Sequence, residues 1–157
     1  MGLEIERKFL VQGLAWREIA EPGVAYAQGY LTREVGRSVR VRVAGDQGFL
    51  TIKSATIGIS RQEYEYWIPV DEAWELLKNL CYQPLIEKTR YRIPQSPLVW
   101  EVDEFGGDNA GLVLAEVELS HSDQELILPD WIGQEVSQDH RYFNSYLNQH
   151  PYQQWES

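Results

Sequence analysis

Acidic and basic residues recur two apart along this chain, a spacing that sets like charges side by side on one face of an extended strand. Glu4, Glu6 and Lys8 point away from Leu3, Ile5 and Phe9. Arg40 and Arg42 alternate with Val39, Val41 and Val43, and Lys53 shares a face with Thr51. Glu63 and Glu65 alternate with Tyr64 and Tyr66; Lys88, Arg90 and Arg92 alternate with Thr89, Tyr91 and Ile93. Glu101 and Asp103 flank Val102, and Glu116 and Glu118 flank Val117. Clustered carboxylates are ligands for hard divalent cations such as Mg²⁺ or Mn²⁺. Clustered Arg and Lys are phosphate ligands, Arg by bidentate contact and Lys as a point charge. A polyphosphate with its metal satisfies both sets at once.

The elements that must hold these groups are strands. Period-2 alternation predicts eight of them, over Leu3–Val11, Ala25–Arg33, Arg37–Val43, Phe49–Ser54, Ser60–Ile68, Ile86–Ile93, Val99–Phe105 and Leu112–Leu119. Turn residues separate several: Ala44–Gly48, Pro94–Pro97, and a turn opening at Gly106. Helical spacing of Ala73, Leu76, Leu77 and Leu80 predicts a helix over Asp71–Cys81 with Asp71 as its cap. A second helix is expected over Gln138–Gln149, built on Tyr142, Phe143, Tyr146 and Leu147, and a short piece over Leu14–Ala20. Many short strands and few helices form an antiparallel sheet that curls or closes. An open sheet would turn its charged face to water. A closed one would turn that face into a lumen, which must then stay wet and bind ions, because desolvating so many unpartnered charges is prohibitive. The periodicity alone leaves both readings open, although like-signed pairs are unusual on a solvated face, where signs are interspersed.

The totals narrow the class. A chain of 157 residues, 43% apolar and 12% aromatic, is expected to fold as one domain over residues 1–157. The net charge of −10 argues against a nucleic-acid partner. Cys81 stands alone, so there is no intrachain disulfide, and a reducing, cytoplasmic setting is expected. No apolar run approaches the roughly 20 residues that span a bilayer, and no signal-peptide core precedes the first charged strand. His121, His140 and His150 are scattered and polar-flanked, which reads as surface and not as a zinc site. No Walker A loop, G-x-G-x-x-G or H-E-x-x-H occurs.

In chain order, E-I-E-R-K (Glu4–Lys8), R-V-R (Arg40–Arg42), T-I-K (Thr51–Lys53), E-Y-E (Glu63–Glu65), E-K-T-R-Y (Glu87–Tyr91) and E-V-E (Glu116–Glu118) resemble the segments of the triphosphate tunnel metalloenzymes, the CYTH superfamily. The resemblance runs from Met1 to about Leu147. It implies an α+β, predominantly β fold: a closed eight-stranded antiparallel β-barrel, or tunnel, with flanking helices. It also implies that Glu4 and Glu6, with Glu116 and Glu118, hold a divalent metal. Glu63, Glu65 and Asp103 would help hold a second metal or position water. Lys8, Arg40, Arg42, Lys53 and Arg90 would grip phosphate oxygens.

Q-G-Y-L (Gln28–Leu31) and S-R-Q-E-Y-E (Ser60–Glu65) are similar to the compact bacterial members that hydrolyse inorganic triphosphate to pyrophosphate and phosphate. In those a Tyr–Lys pair is associated with water activation, which the resemblance transfers to Tyr30 and Lys88. Free Tyr and Lys titrate near ~10 and ~10.4, so crowding by Arg90, Arg92 and metal would have to lower Lys88. Tyr30 would then orient it, or else be an aromatic of the core. The same family offers a class IV adenylate cyclase and thiamine or nucleoside triphosphatases, and a non-hydrolytic polyphosphate-binding module is a further alternative. E-V-S-Q-D-H-R-Y-F-N (Glu135–Asn144) resembles the family's C-terminal segment, whose helix sits near one tunnel mouth. Arg141 there either reaches the substrate or lies exposed. The expected partner is a small triphosphate, with no nucleic acid and no membrane, and the chain a monomer or homodimer.

Overall fold

The computed structural model describes residues 2–34 and 36–155, so Met1, Val35, Glu156 and Ser157 of the expected 1–157 span lie outside the described residues. Among the described residues nine strands form: β1 (Gly2–Val11), β2 (Val24–Tyr30), β3 (Arg37–Ala44), β4 (Gln47–Ser54), β5 (Ser60–Ile68), β6 (Ile86–Gln95), β7 (Leu98–Phe105), β8 (Val113–Glu118) and β9 (Ile132–Glu135). Three helices accompany them: α1 (Trp16–Ile19), α2 (Val70–Asn79) and α3 (Asn144–Gln149). Among the described residues no helix is long and apolar enough to cross a membrane.

Eight strands close into an antiparallel barrel. Their order is β5-β4-β3-β2-β6-β7-β8-β1, and β1 pairs back onto β5. β1 makes the closure by dividing its length: Gly2–Ile5 pair with β5, Glu6–Leu10 with β8, and Phe9 and Val11 with the extra strand β9. Closure removes the exposed sheet edges that would otherwise template aggregation.

Because side chains alternate across the wall, the charged residues face in and their apolar neighbours face out. The apolar core therefore lies largely outside the barrel, beneath its coverings. Ile5, Phe9, Trp100, Val102 and Val117 pack under Trp16 of α1, Trp131 just before β9, and Ile132, its first residue. Val41 and Val43 of β3 pack under Ala73 and Leu77 of α2, with Cys81 beside them. Gly29 lets β2 approach this layer: a Cβ there would stand 2.8 Å from Leu85 Cδ2 and 2.9 Å from Cys81 Cβ. At one end of the barrel the inward residues change character. Ile86, Phe105 and Leu114, which continue the inward rows of Lys88, Asp103 and Glu116, pack with Leu147 of α3 and Val136. That apolar plug closes one end of the lumen.

The eight expected strands form, with shifted ends. β2 stops at Tyr30, not Arg33, where Leu31 donates its N–H to Val39 and the chain turns toward β3. β9 was not foreseen, because Ile132–Glu135 lacks a clear period and owes its extended form to pairing with β1. The first long helix begins at Val70 behind Pro69, and the carboxylate of Asp71 accepts only the N–H of the adjacent Glu72, so it is not the cap. The single helix expected over Gln138–Gln149 is instead broken. A 3₁₀ turn spans His140–Tyr142, capped by the Asp139 side chain, and Phe143 is extended before α3 starts. A tertiary contact accompanies the break: Lys8 Nζ donates to the Tyr142 carbonyl at 3.0 Å, turning that oxygen out of the helix.

A charged tunnel closed at one end

Inside the barrel is a cavity of about 220 Å³, smaller than the ~300–1,000 Å³ of most drug-sized ligand sites. It suits a small, compact ion. Glu4, Glu6, Glu63, Glu65, Glu101, Glu116 and Glu118 line it, matched by Lys8, Arg40, Arg42, Lys53, Arg61, Lys88 and Arg90. Tyr30 and Ser38 complete the wall, and Phe143, Asn144 and Ser145 come from the segment that closes one end. Thus Glu4, Glu6, Lys8, Tyr30, Arg40, Arg42, Lys53, Glu63, Glu65, Lys88, Arg90, Glu116 and Glu118 all face one lumen.

Asp103 is the exception among the expected site residues. It lies on the inward face of β7 but is fully buried beneath its longer neighbours, directly opposite Arg90 in the β6–β7 register. Its carboxylate accepts from Arg90 Nε and Nη2 at 2.8 and 2.9 Å and pairs with Lys88 Nζ at 2.8 Å. This group holds two cations at the wall and leaves the lumen to them.

Carboxylates crowd the β1–β8 side. Glu6 lies opposite Glu118, and Glu101 opposite Glu116, and like charges in such positions repel. Burial, with Glu116 and Glu4 adding to it, pushes the Glu6 carboxyl up to about 8. Burial and then the charges of Glu4 and Glu63 likewise raise Glu118. Burial acts in the same sense on Glu4, but Lys53 and Arg61 overrule it and hold that carboxyl at about 2. Lys53 Nζ stands 3.3 Å from Glu4 and 3.1 Å from Glu63, and Arg61 Nε 3.0 Å from Glu4. Among the described residues no three acidic, His or Cys groups are preassembled at metal-ligand spacing. The donor chemistry nevertheless fits a hard divalent ion, since Mg²⁺ is usually held by one or two carboxylates, with substrate phosphates and water completing its shell.

The cationic side has the complementary deficiency. Arg40 Nε and Arg42 Nε are buried donors without a hydrogen-bond partner, each a substantial cost unless an acceptor arrives. Arg42 also reaches Glu65 at 3.0 Å. Its guanidinium, desolvated and crowded by Arg40 and Arg90, is pushed down to about 10 and so stays charged at neutral pH.

Lys88 is the perturbed base. Burial lowers its ammonium to about 8 against the opposing pull of Asp103. The second charge lowering it is Arg90; Arg92, expected to share in this, is exposed at the surface. Tyr30 behaves oppositely: burial raises its phenol despite Arg40 and Arg61, so it remains a neutral donor. The structure does not join Tyr30 to Lys88 by a hydrogen bond among the described residues. In the strand register Tyr30 faces Arg40, and the tyrosine opposite Lys88 is Tyr26.

Arg61, Glu101, Ser38 and Asn144 were not singled out from sequence as site residues. Arg61 was within reach of it, two positions before Glu63 on the same face of β5. Asn144 was not, because only the fold brings α3 to the lumen. Arg141 does not reach the cavity; it is exposed and pairs with Asp139 at 2.7 Å.

A CYTH domain family model matches residues 2–148. The inorganic triphosphatase of Acetivibrio thermocellus is 52% identical over 156 residues, 99% of either chain. The inorganic triphosphatase of Nitrosomonas europaea is 42% identical over 149 residues, 92% of this chain and 95% of the relative. A crystal structure of an inorganic triphosphatase superposes with a TM-score of 0.65 at 37% identity, covering 92% of this chain and 93% of that one. A Pyrococcus horikoshii protein at 18% identity shares the fold, with a TM-score of 0.58 over 76% of this chain and 80% of its own.

Proposed function

Because the chain belongs to the CYTH domain family, we propose that its tunnel hydrolyses inorganic triphosphate to pyrophosphate and phosphate with Mg²⁺ or Mn²⁺. The observation that carries this reading is that Arg40 and Arg42, whose Nε donors are buried without partners, line a lumen whose other side holds mutually repelling carboxylates. A phosphate chain answers the first deficiency and a divalent cation the second. The names of the two relatives agree with it.

Glu4, Glu6, Glu116 and Glu118 would hold the metal, which when bound supplies charge neutralisation and polarises the phosphoryl oxygens. Glu63 and Glu65 stand where a second ion or a water could be held, whereas Asp103 serves here to hold Lys88 and Arg90. Lys8, Arg40, Arg42, Lys53, Arg61 and Arg90 surround the polyanion. Their work is positioning and stabilisation of charge on the transferring group, which accounts for most of phosphoryl-transfer catalysis. Lys88, lowered to about 8, is partly unprotonated near neutrality. Its Nζ accepts a proton from the attacking water as the new P–O bond forms and the anhydride P–O bond breaks. Pyrophosphate leaves with the bonding electrons, held by the arginines. Tyr30, a neutral phenol, donates to a phosphate oxygen or to that water.

Phosphate release from inorganic triphosphate, ATP, thiamine triphosphate and pyrophosphate, each with Mg²⁺ and Mn²⁺, tests the reading. Inorganic triphosphate should be turned over fastest, and only with a divalent metal present. Faster release from an organic triphosphate, cyclic AMP formed from ATP, or binding without phosphate release would each replace it.

A further inference from the structure

We propose that Asn144 is a positioning residue for Lys88, fixing the direction in which the amine faces the lumen. The inference rests on the reading of Lys88 as the proton acceptor. Lys88 Nζ meets two side-chain oxygens, Asp103 Oδ2 at 2.8 Å and Asn144 Oδ1 at 3.2 Å. They reach it from separate parts of the fold: Asp103 from the neighbouring strand β7, Asn144 from the first position of α3. An uncharged amine has two N–H bonds and one lone pair. When both hydrogens are engaged, the lone pair is confined to the one remaining tetrahedral direction of an amine that lines the cavity. With Asp103 alone, rotation about Cε–Nζ would often turn a hydrogen toward the water instead.

The orientation of Asn144 is itself determined. While Lys88 is an ammonium it can only present hydrogens, so in that form the amide oxygen must face Nζ. Gln28, fully buried on the inward face of β2, donates Nε2 to the same oxygen at 3.0 Å. Reversing Asn144 would set Nδ2 against Nζ, and reversing Gln28 would set two oxygens together. One arrangement of the three side chains is therefore consistent with the ammonium form, and it leaves Gln28 Oε1 buried without a partner. Such an orphan is a destabilising feature, retained here by the group it orients. The backbone bearing Asn144 is anchored as well. Leu147 is fully buried, and Asn148 Nδ2 donates to the Pro84 carbonyl at 2.8 Å.

The test is steady-state triphosphate hydrolysis with Mg²⁺ by Asn144→Ala, Asn144→Asp, Lys88→Met and the double variant Lys88→Met/Asn144→Ala, each checked by thermal unfolding. General-base catalysis contributes ~10²–10⁴-fold, so losing orientation alone should lower kcat by ~10- to 100-fold, with KM within ~3-fold. Asn144→Asp keeps an oxygen acceptor, but its charge raises Lys88 as Asp103 does, so kcat should recover toward the wild type only as pH rises, with the acid limb displaced to higher pH. The double variant should be no slower than Lys88→Met, because Asn144 then has nothing to orient. Should Asn144→Ala not fold, Asn144→Ser, whose hydroxyl is too short to reach Nζ, takes its place in the same cycle. A normal kcat in the Ala or Ser variant, a proportional rise in KM, or losses that multiply with Lys88→Met would overturn the positioning role while leaving Lys88 as the base. An unchanged kcat in Lys88→Met would instead overturn the reading of Lys88.

Discussion

Replacing Glu6 by glutamine removes an acid that burial, Glu116 and Glu4 together push from 4.5 up to about 8 in the metal-free tunnel. The unfolded chain releases this proton near 4.5, whereas the folded one must retain it or ionise beside two other carboxylates. An acid raised on folding supports the fold below its unfolded value and loses that support as pH climbs toward the folded one. The window is therefore about pH 4.5 to 8. A rise of about 3.5, at ~1.36 kcal/mol each, sets an upper bound of ~5 kcal/mol. The Glu6 side chain keeps 21% of its surface open to lumen water and shares its interaction with Glu116, so about 2 kcal/mol is the working figure. For a chain of this size each kcal/mol moves Tm by ~2–4 °C. In chelator, the wild type should thus lose about 4–8 °C relative to Glu6→Gln between pH 5 and pH 8, followed by circular dichroism. Millimolar Mg²⁺ at pH 8 should restore most of that loss in the wild type and much less in the variant, since only the folded site binds the ion. A gap between the two proteins that stays constant with pH, or widens toward acid, would refute the reasoning.

Asp103→Asn leaves Lys88 buried without its counter-charge, and Arg90 with only Glu101 and Glu116 at 3.4 and 3.7 Å, and should cost about 3–5 kcal/mol in denaturant unfolding. Because Asp103 raises Lys88, its loss should also move the acid limb of the pH–rate profile to lower pH. Glu4→Ala should abolish metal-dependent phosphate release while the chain still unfolds cooperatively; turnover retained at the wild-type rate would remove Glu4 from the site. Trp100, fully buried among Phe9, Trp131 and Val117, should cost about 3–5 kcal/mol as Ala, read as a lower urea midpoint with triphosphate KM unchanged at low denaturant.

Much of the tunnel was legible because a strand has a period of two. The row Glu4–Glu6–Lys8 faces one lumen with Arg40–Arg42 and Glu116–Glu118 because each row is one face of one strand. The same rule contains Arg61, which required only that the Glu63–Glu65 row be extended by one step. Asp103 shows the limit of that rule. Alternation assigns a face but not a depth, and a short side chain directly opposite Arg90 is covered by the longer ones around it. Likewise alternation cannot say how far apart Tyr30 and Lys88 stand, since that depends on the register of β2 against β6. The broken C-terminal helix was illegible because its apolar spacing is helical, and the break coincides with a hydrogen bond to Lys8, far away in sequence.

By itself, the order of residues determined which groups share a face, that those faces carry like-signed pairs, and hence that the chain must bury charge against ions or display it to water. The fold alone decided between these. β1 has enough length to pair with β8 on one side and with β5 on the other, and that closure converts a charged face into a lumen. It also decided which end is shut, by placing Leu147 on the inward residues Ile86, Phe105 and Leu114, and which group meets Lys88 there. Such pairings join residues more than thirty positions apart, and no local period encodes them. They follow from the way strands of fixed rise and tilt must stagger to complete a ring.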